Sequence, residues 1–349
     1  MNGREIRGKR RAARVIARVA TIILICTAPV ARSWEPTIPV DEMTPGRRGE
    51  GLTVFRGARP QPFDVEVLGV MDHYKPDLSF ILARLSGPQI ERTGVAQGMS
   101  GSPVYFDGRL AGAVAFTWPF AQEPIAGITP IGAMRDLSRS EGASAASRGG
   151  PSVDVVALVG RTVPPTFASD LVTELTAAGN LPQGARGLSW VVSGLGLRPD
   201  LLAAAAGPGE WRSGGRNEDL GEEALVGGAA VAAVLIEGDL QLAAVGTVTE
   251  RYGDEILAFG HPFLGAGTVR VPMAPAEVVT VLASRETSFK IGNVGAVVGA
   301  FDQDRLAGVH GRIGLTAPTV PLEMVVHAGR RKTYHMGIAP VPQLIPGLL

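Results

Sequence analysis

Two stretches of this 349-residue chain carry side chains whose types and setting suit acyl and proton transfer. The first is Gly98-Met99-Ser100-Gly101-Ser102-Pro103, a serine inside a tight run of glycines. Glycine beside a hydroxyl lets the backbone turn sharply, so that successive N–H groups can converge where an oxyanion would form. The backbone N–H groups of Gly98 and Ser100 are the candidates for that role. Pro103 then fixes φ as the chain leaves the turn. The second stretch is Glu255 to Gly265, in which His261 ends an apolar strand between Gly260 and Pro262. Imidazole is the side chain whose pKa suits proton transfer near neutrality. A serine hydroxyl is a poor nucleophile until such a base takes its proton, and the base needs a third group to orient it. Taken singly, each stretch also has a bland reading: a glycine-rich turn with an incidental serine, and a packed, hydrogen-bonded histidine.

The elements that must position these groups read as short strands. Val104 to Phe106, the Asp107-Gly108 turn and Arg109 to Phe116 predict a β-hairpin directly after the serine. Phe63 to Val70 alternates apolar and acidic residues, and Ser79 to Leu85, Trp190 to Ser193, Ala229 to Ile236 and Leu240 to Val248 are further predicted strands. Phe167 to Ala178 and Pro199 to Ala206 have helical spacing, and Gly207 to Glu223 reads as an exposed loop. The small, polar run Ser138 to Pro151 reads as a flexible linker. With 46 Gly and 26 Pro, the chain suits many strands and turns better than long helices.

Formal net charge is zero, but residues 1–33 hold eight Lys/Arg and one acid, leaving 25 basic against 32 acidic residues beyond them. That remainder, about −7, has no electrostatic reason to hold nucleic acid. Basic residues up to Arg18, the apolar run Val19 to Ala31, and Ala31-Arg32-Ser33 before Trp34 have the pattern of a cleaved signal peptide. An uncleaved N-terminal segment anchored in the inner membrane is the alternative. Cys26, the single cysteine, lies inside this segment, so neither a disulfide nor a thiolate site is expected in the rest. Export without disulfides suggests a bacterial periplasmic or secreted protein. His73 falls in a charged loop, His310 in a β-like run, and His327 and His335 flank a basic turn at Arg330-Arg331-Lys332. None has tight metal-ligand spacing, so neither a metal nor another cofactor is expected.

Residues 98 to 103 resemble the Gly-Asp-Ser-Gly-Gly-Pro motif of trypsin-like serine peptidases. The likeness runs through Gly108, Leu110 and Gly112 to Gly127-Ile128-Thr129-Pro130-Ile131. The closer similarity is to the stage IV sporulation protein B (SpoIVB) peptidase family, whose serine motif reads Gly-Met-Ser-Gly-Ser-Pro. Gly260-His261-Pro262 is similar to that family's Gly-His-Gly, with Pro262 replacing the second glycine. The resemblance implies a mainly β chain with two trypsin-like barrels, Ser100 on one (34–137) and His261 on the other (225–349). Residues 138–224 would supply a linker and a small mixed α/β region. It implies an exported serine endopeptidase acting on proteins or peptides, with Ser100 as nucleophile and His261 as general base in the cleft between barrels.

Three departures matter. Serine precedes histidine here, the reverse of both families, so the chain reads as circularly permuted; triads are defined by geometry, which permits this. The acidic member has no clear position, because that of the sporulation peptidase falls near Ser86-Gly87. Asp304, with Asp302 beside it, is the candidate, at a separation from His261 like trypsin's, although both also read as surface turn residues. Met99 stands where trypsin-like zymogens carry the aspartate that pairs with a new N-terminus. The resemblance to trypsin-like enzymes would put Gly94, six residues before Ser100, at the base of the specificity pocket, which argues weakly against strict cleavage after Lys or Arg. The rival function is a non-catalytic exported module that binds peptides or envelope proteins. Oligomeric state is not legible.

Overall fold

In a computed structural model, described over residues 34–75, 78–118, 120–139, 189–194, 211–328 and 330–341, the chain is mainly antiparallel strands. Strands β1 (Arg48–Thr53), β2 (Gln61–Lys75), β3 (Leu78–Ser86), β4 (Pro103–Phe106), β5 (Arg109–Thr117) and β6 (Ile125–Pro130) close a barrel in the order β1-β2-β3-β6-β5-β4. Val65 and Val67 on β2, and Ile81, Ala83 and Leu85 on β3, recur every second residue and fill its core. The expected hairpin is present: Phe106 faces Arg109 across Asp107 (φ 51°) and Gly108 (φ 70°). Positive φ at both positions is what Asp-Gly supplies in a tight hairpin turn. Helix α1 (Pro88–Thr93) leads into the serine motif, and α2 (Ile131–Arg139) follows β6.

Three short strands, β7 (Ser189–Gly194), β8 (Trp211–Ser213) and β9 (Gly215–Arg216), precede the second β system. That system comprises β10 (Ala230–Gly238), β11 (Leu240–Tyr252), β12 (Glu255–Ala258), β13 (Gly267–Leu282), β14 (Phe289–Val294), β15 (Gly299–Arg305) and β16 (Gly308–Ile313). The hairpin β17 (Val320–Ala328) and β18 (Arg330–Ile338) follows it. The order β10-β11-β12-β16-β15-β13 closes on itself, because Val231, Ala232 and Ala233 of β10 pair with Pro275, Ala274 and Met273 of β13. A second six-stranded ring results, with β7, β14 and β18 attached to its outside.

Strand β10 shows why the two barrels pack. Val231, Ala233 and Leu235 belong to the core of the second barrel, while Ala230, Ala232 and Val234 belong to the core shared with the first. A strand buried on both faces reads as a continuous apolar run, as Ala230 to Ile236 does. The shared face is largely alanine and valine, including Ala243, Val245, Ala274 and Ala276, so the strands can approach closely.

Several sequence expectations change. Gly207 to Glu223 is not simply a loop, since β8 and β9 lie in it and Glu222–Ala224 forms a 3-10 turn. His73 lies in β2 rather than a loop. Asp302 and Asp304 are buried in β15 and are not surface turn residues, because β15 is covered on both faces. The signal segment, most of the linker and the helices expected at 167–178 and 199–206 lie outside the described residues. Phe301, 1% exposed inside the second barrel, tests its core. Phe301→Ala should cost about 3–5 kcal/mol, read as a lowered denaturant midpoint at unchanged slope.

Candidate functional site

The serine loop is shaped by its glycines and by a set of backbone hydrogen bonds. Gly98 (φ 89°) and Gly101 (φ 95°) adopt the left-handed half of conformational space that a side chain would resist. Met99 N–H donates to Ala96 O (3.0 Å), Gly101 N–H to Val114 O (2.7 Å) and Ser102 N–H to Met99 O (2.9 Å). The Gly98 and Ser100 N–H groups donate to no acceptor among the described residues. Gln97 O accepts from Lys290 N–H (3.1 Å) and Met99 O from Ser102. In a trans peptide the N–H points opposite to the C=O. Both free donors are therefore aimed away from the groups that pin their carbonyls. Met99 is fully buried, and its sulfur accepts from Ala96 N–H at 3.4 Å, so an apolar plug fills the place of the zymogen aspartate. Ser100 is 8% exposed, and its hydroxyl makes no hydrogen bond among the described residues.

His261 follows β12 in a strained turn. Phe259 is held at φ 66° and Gly260 at φ 67°, and a non-glycine residue at such an angle costs on the order of 1–3 kcal/mol. The Phe259 ring, fully buried against Phe263 and Phe301, holds it there. His261 Nδ1 lies 2.7 Å from Pro262 O. A carbonyl only accepts, so Nδ1 carries the hydrogen and Nε2 presents its lone pair. Desolvation lowers the imidazole pKa below its ordinary 6.5, outweighing the upward pull of the Pro262 carbonyl.

The two loops interlock at Thr247 of β11. Thr247 N–H donates to Ser100 O (2.8 Å) and its hydroxyl to Gly98 O (2.7 Å), while Thr249 Oγ1 donates to Gly101 O (2.8 Å). A Cβ on Gly101 would sit 1.9 Å from Thr247 O and 2.6 Å from Phe259 N. One on Gly260 would meet Val114 O at 3.1 Å, the carbonyl that accepts from Gly101 N–H. Thr129 Oγ1, on the first barrel, donates to Gly260 O at 2.6 Å. The residue after Ser100 and the residues before His261 thus touch. No hydrogen bond joins hydroxyl to imidazole in this structure, and unliganded sites are often looser than the complex in which they act.

Asp304 does not pair with His261. Its carboxylate accepts from the N–H groups of Phe263 (2.7 Å), Leu264 (2.7 Å) and Ala266 (3.2 Å), tying down the loop that begins at Pro262. Burial pushes its pKa up against the downward pull of those N–H groups. Asp302 pairs instead with His310, Oδ1 to Nδ1 at 2.6 Å, with Glu255 Oε2 3.7 Å from Nε2. This buried pair was not legible, because its partners sit eight residues apart on neighbouring strands. Gly94 lines a cavity of about 450 Å3 with Thr93, Thr117, Trp118 and Ser288. A larger cavity of about 660 Å3, lined by Arg216, Glu237 and His335 among others, is lined by neither Ser100 nor His261.

Residues 37–131 match the family model of the SpoIVB peptidase S55. The match spans the whole barrel that carries Ser100 and stops short of the barrel that carries His261. No curated protein and no solved structure matches the chain. The first barrel is thus similar to the SpoIVB peptidase S55 family, within a fold of two six-stranded antiparallel barrels.

Two measurements test this geometry. Gly101→Ala should lower stability by on the order of 3 kcal/mol, because backbone rather than a flexible side chain stands in the way. An unchanged melting temperature would contradict the close approach. By nitrogen-detected NMR, neutral His261 should be the Nδ1–H tautomer and titrate below pH 6.5. The sign is that of a depressed pKa: the residue's contribution to stability is complete above 6.5 and withdrawn as pH falls through the folded-state value.

Proposed function

We propose that this protein is an exported serine endopeptidase of the SpoIVB type, with Ser100 as nucleophile and His261 as general base. Nε2 of His261 takes the hydroxyl proton as Ser100 Oγ bonds to the carbonyl carbon of a peptide. The carbonyl electron pair moves onto oxygen, which accepts from the N–H groups of Gly98 and Ser100. The imidazolium returns its proton to the leaving amine as the C–N bond breaks, and water repeats the sequence to release the acyl group. The Pro262 carbonyl takes the orienting place that a carboxylate fills in a full triad. Asp304 then acts at one remove, as a positioning residue for the loop after His261.

The observation that carries this reading is the contact of Gly101 with Phe259 N and Thr247 O, which joins the serine and histidine segments across two barrels. The free N–H groups of Gly98 and Ser100 support it further. Export rests on the basic-then-apolar pattern of residues 1–33, and a peptide substrate rests on the family match. The orienting carbonyl favours one competing reading, a peptidase-like module that binds peptides without cleaving them.

Labelling by a fluorophosphonate probe separates the two. The enzyme reading expects covalent modification at Ser100, abolished in Ser100→Ala and reduced about 100-fold or more in His261→Ala. Labelling should also fall on acidification through the His261 pKa, below 6.5, because the base must be unprotonated. Folded protein that never labels, yet binds peptides, would establish the binding module.

A further inference from the structure

Lys290 is a charged side chain in the wrong solvent. It lies on β14, is 0% exposed, and ranks among the largest fully buried side chains of the described residues. Its ammonium donates to Thr53 Oγ1 on β1 (2.8 Å) and to Thr247 Oγ1 on β11 (3.2 Å), one hydroxyl from each barrel. Thr247 Oγ1 passes its own hydrogen to Gly98 O. The lysine stem runs directly beneath Gly98, where a Cβ would meet Cδ at 2.9 Å and Cγ at 3.2 Å. The backbone takes part as well: Lys290 N–H donates to Gln97 O, and Gln97 N–H to Ser288 O (2.8 Å). One residue therefore reaches both carbonyls that flank the Gly98 N–H, Gln97 O directly and Gly98 O through the Thr247 hydroxyl.

We propose that Lys290 is a positioning residue for the serine loop, fastening both barrels through Thr53 and Thr247 and holding the Gly98 peptide from beneath. This rests on the reading of Ser100 as the nucleophile. A hydroxyl shared between a cation and a carbonyl has a fixed direction, since the cation can only donate to it. Thr247 must then aim its own hydrogen at Gly98 O, which sets the plane of the Gly98–Met99 peptide. The other carbonyl, Gln97 O, is set by the Lys290 N–H, so the candidate oxyanion donor at Gly98 faces the open side of the loop.

Among the described residues the ammonium has no counter-charge. Around it pack β1, β7, β9, β11, β13 and the serine loop; the polar groups that bond its ammonium are the hydroxyls of Thr53 and Thr247, while Arg216 of β9 donates to Gly238 O instead. Glu50 on β1, Glu250 and Arg251 on β11, and Arg270 and Glu277 on β13 form no ion pair with it. Burying an unpaired cation is costly, and here burial pushes the lysine pKa down to about 7. Retaining such a group at the junction of two barrels makes sense where its direction is used. An apolar side chain of the same length would fill the space and lose the relay.

The test is Lys290→Met, which keeps most of the stem, with Thr247→Val as a second variant that breaks the relay while leaving the lysine. The expected result is slower fluorophosphonate labelling at Ser100 in both, by roughly 10- to 100-fold, the scale of a misplaced catalytic group. Lys290→Met should also be at least as stable as wild type at pH 6. Its stability should lack the rise between pH 7 and 10 that wild type shows where the unfolded chain binds the extra proton. An independent readout needs no activity and no variant to begin: the amide resonances of Gly98 and Ser100 in the wild-type protein. These should show a step near pH 7, distinct from any His261 step below 6.5, and the step near pH 7 should vanish in Lys290→Met. Amides that do not respond, or variants that label at the wild-type rate, would overturn the role of Lys290 and leave the peptidase reading intact. A wild-type protein whose amides titrate as expected but whose serine never labels would do the reverse: the clamp would stand and the nucleophile would fall.

Discussion

The arrangement depends on there being no side chain at Gly101. At that position the serine loop of the first barrel lies against the backbone of Thr247 and Phe259 in the second, closer than any Cβ allows. The barrels also join by short stretches of backbone pairing, Gly57 with Val278 and Gln97 with Phe289. The alanine- and valine-rich faces of β10, β11 and β13 bring the barrels near each other. A close backbone-to-backbone contact at Gly101 then helps to fix their register. Everything chemical follows from that registration, because Ser100 and His261 each sit within two residues of it.

The polar groups trapped at this junction are matched to each other rather than to solvent. Thr53, Thr129, Thr247 and Thr249 are all buried, and each hydroxyl spans a gap between segments remote in sequence. A buried hydroxyl without a partner costs on the order of 1–3 kcal/mol, so these bonds specify one docking geometry among many that would bury similar apolar area. The histidine is treated differently from a full triad. Its Nδ1 faces a neutral carbonyl, which orients the ring but stabilises an imidazolium less than a carboxylate would. Asp304, which lies against this loop, spends its oxygens on backbone N–H groups.

What could be read from the sequence was local. The Asp107-Gly108 hairpin and the strands around it follow from turn chemistry and period-two alternation, and the glycines around Ser100 and His261 occupy positive φ as their neighbours require. Asp302 and Asp304 were legible as candidates but not as buried strand residues. Phe301-Asp302-Gln303-Asp304-Arg305 alternates poorly, and only the covering of both faces of β15 makes it a strand. The orienting carbonyl of Pro262 has no side-chain signature at all. Lys290 was invisible for a related reason: a lone lysine in Phe289–Val294 looks like a solvent-facing strand residue. Its burial is decided by β1 and by the serine loop, each nearly two hundred residues or more away. The pair formed by Asp302 and His310 depends on the register of β15 against β16, which no local pattern fixes.

The central claim is that an alcohol and an imidazole from separate barrels serve one carbonyl. A crystal structure of the protein after reaction with a phosphonate tests it most directly, because the adduct mimics the tetrahedral intermediate. The account predicts phosphorus bonded to Ser100 Oγ, His261 Nε2 within about 3 Å of an adduct oxygen, and the phosphoryl oxygen between the N–H groups of Gly98 and Ser100. An adduct that points away from His261, or a phosphoryl oxygen bound elsewhere than at those two donors, would contradict it.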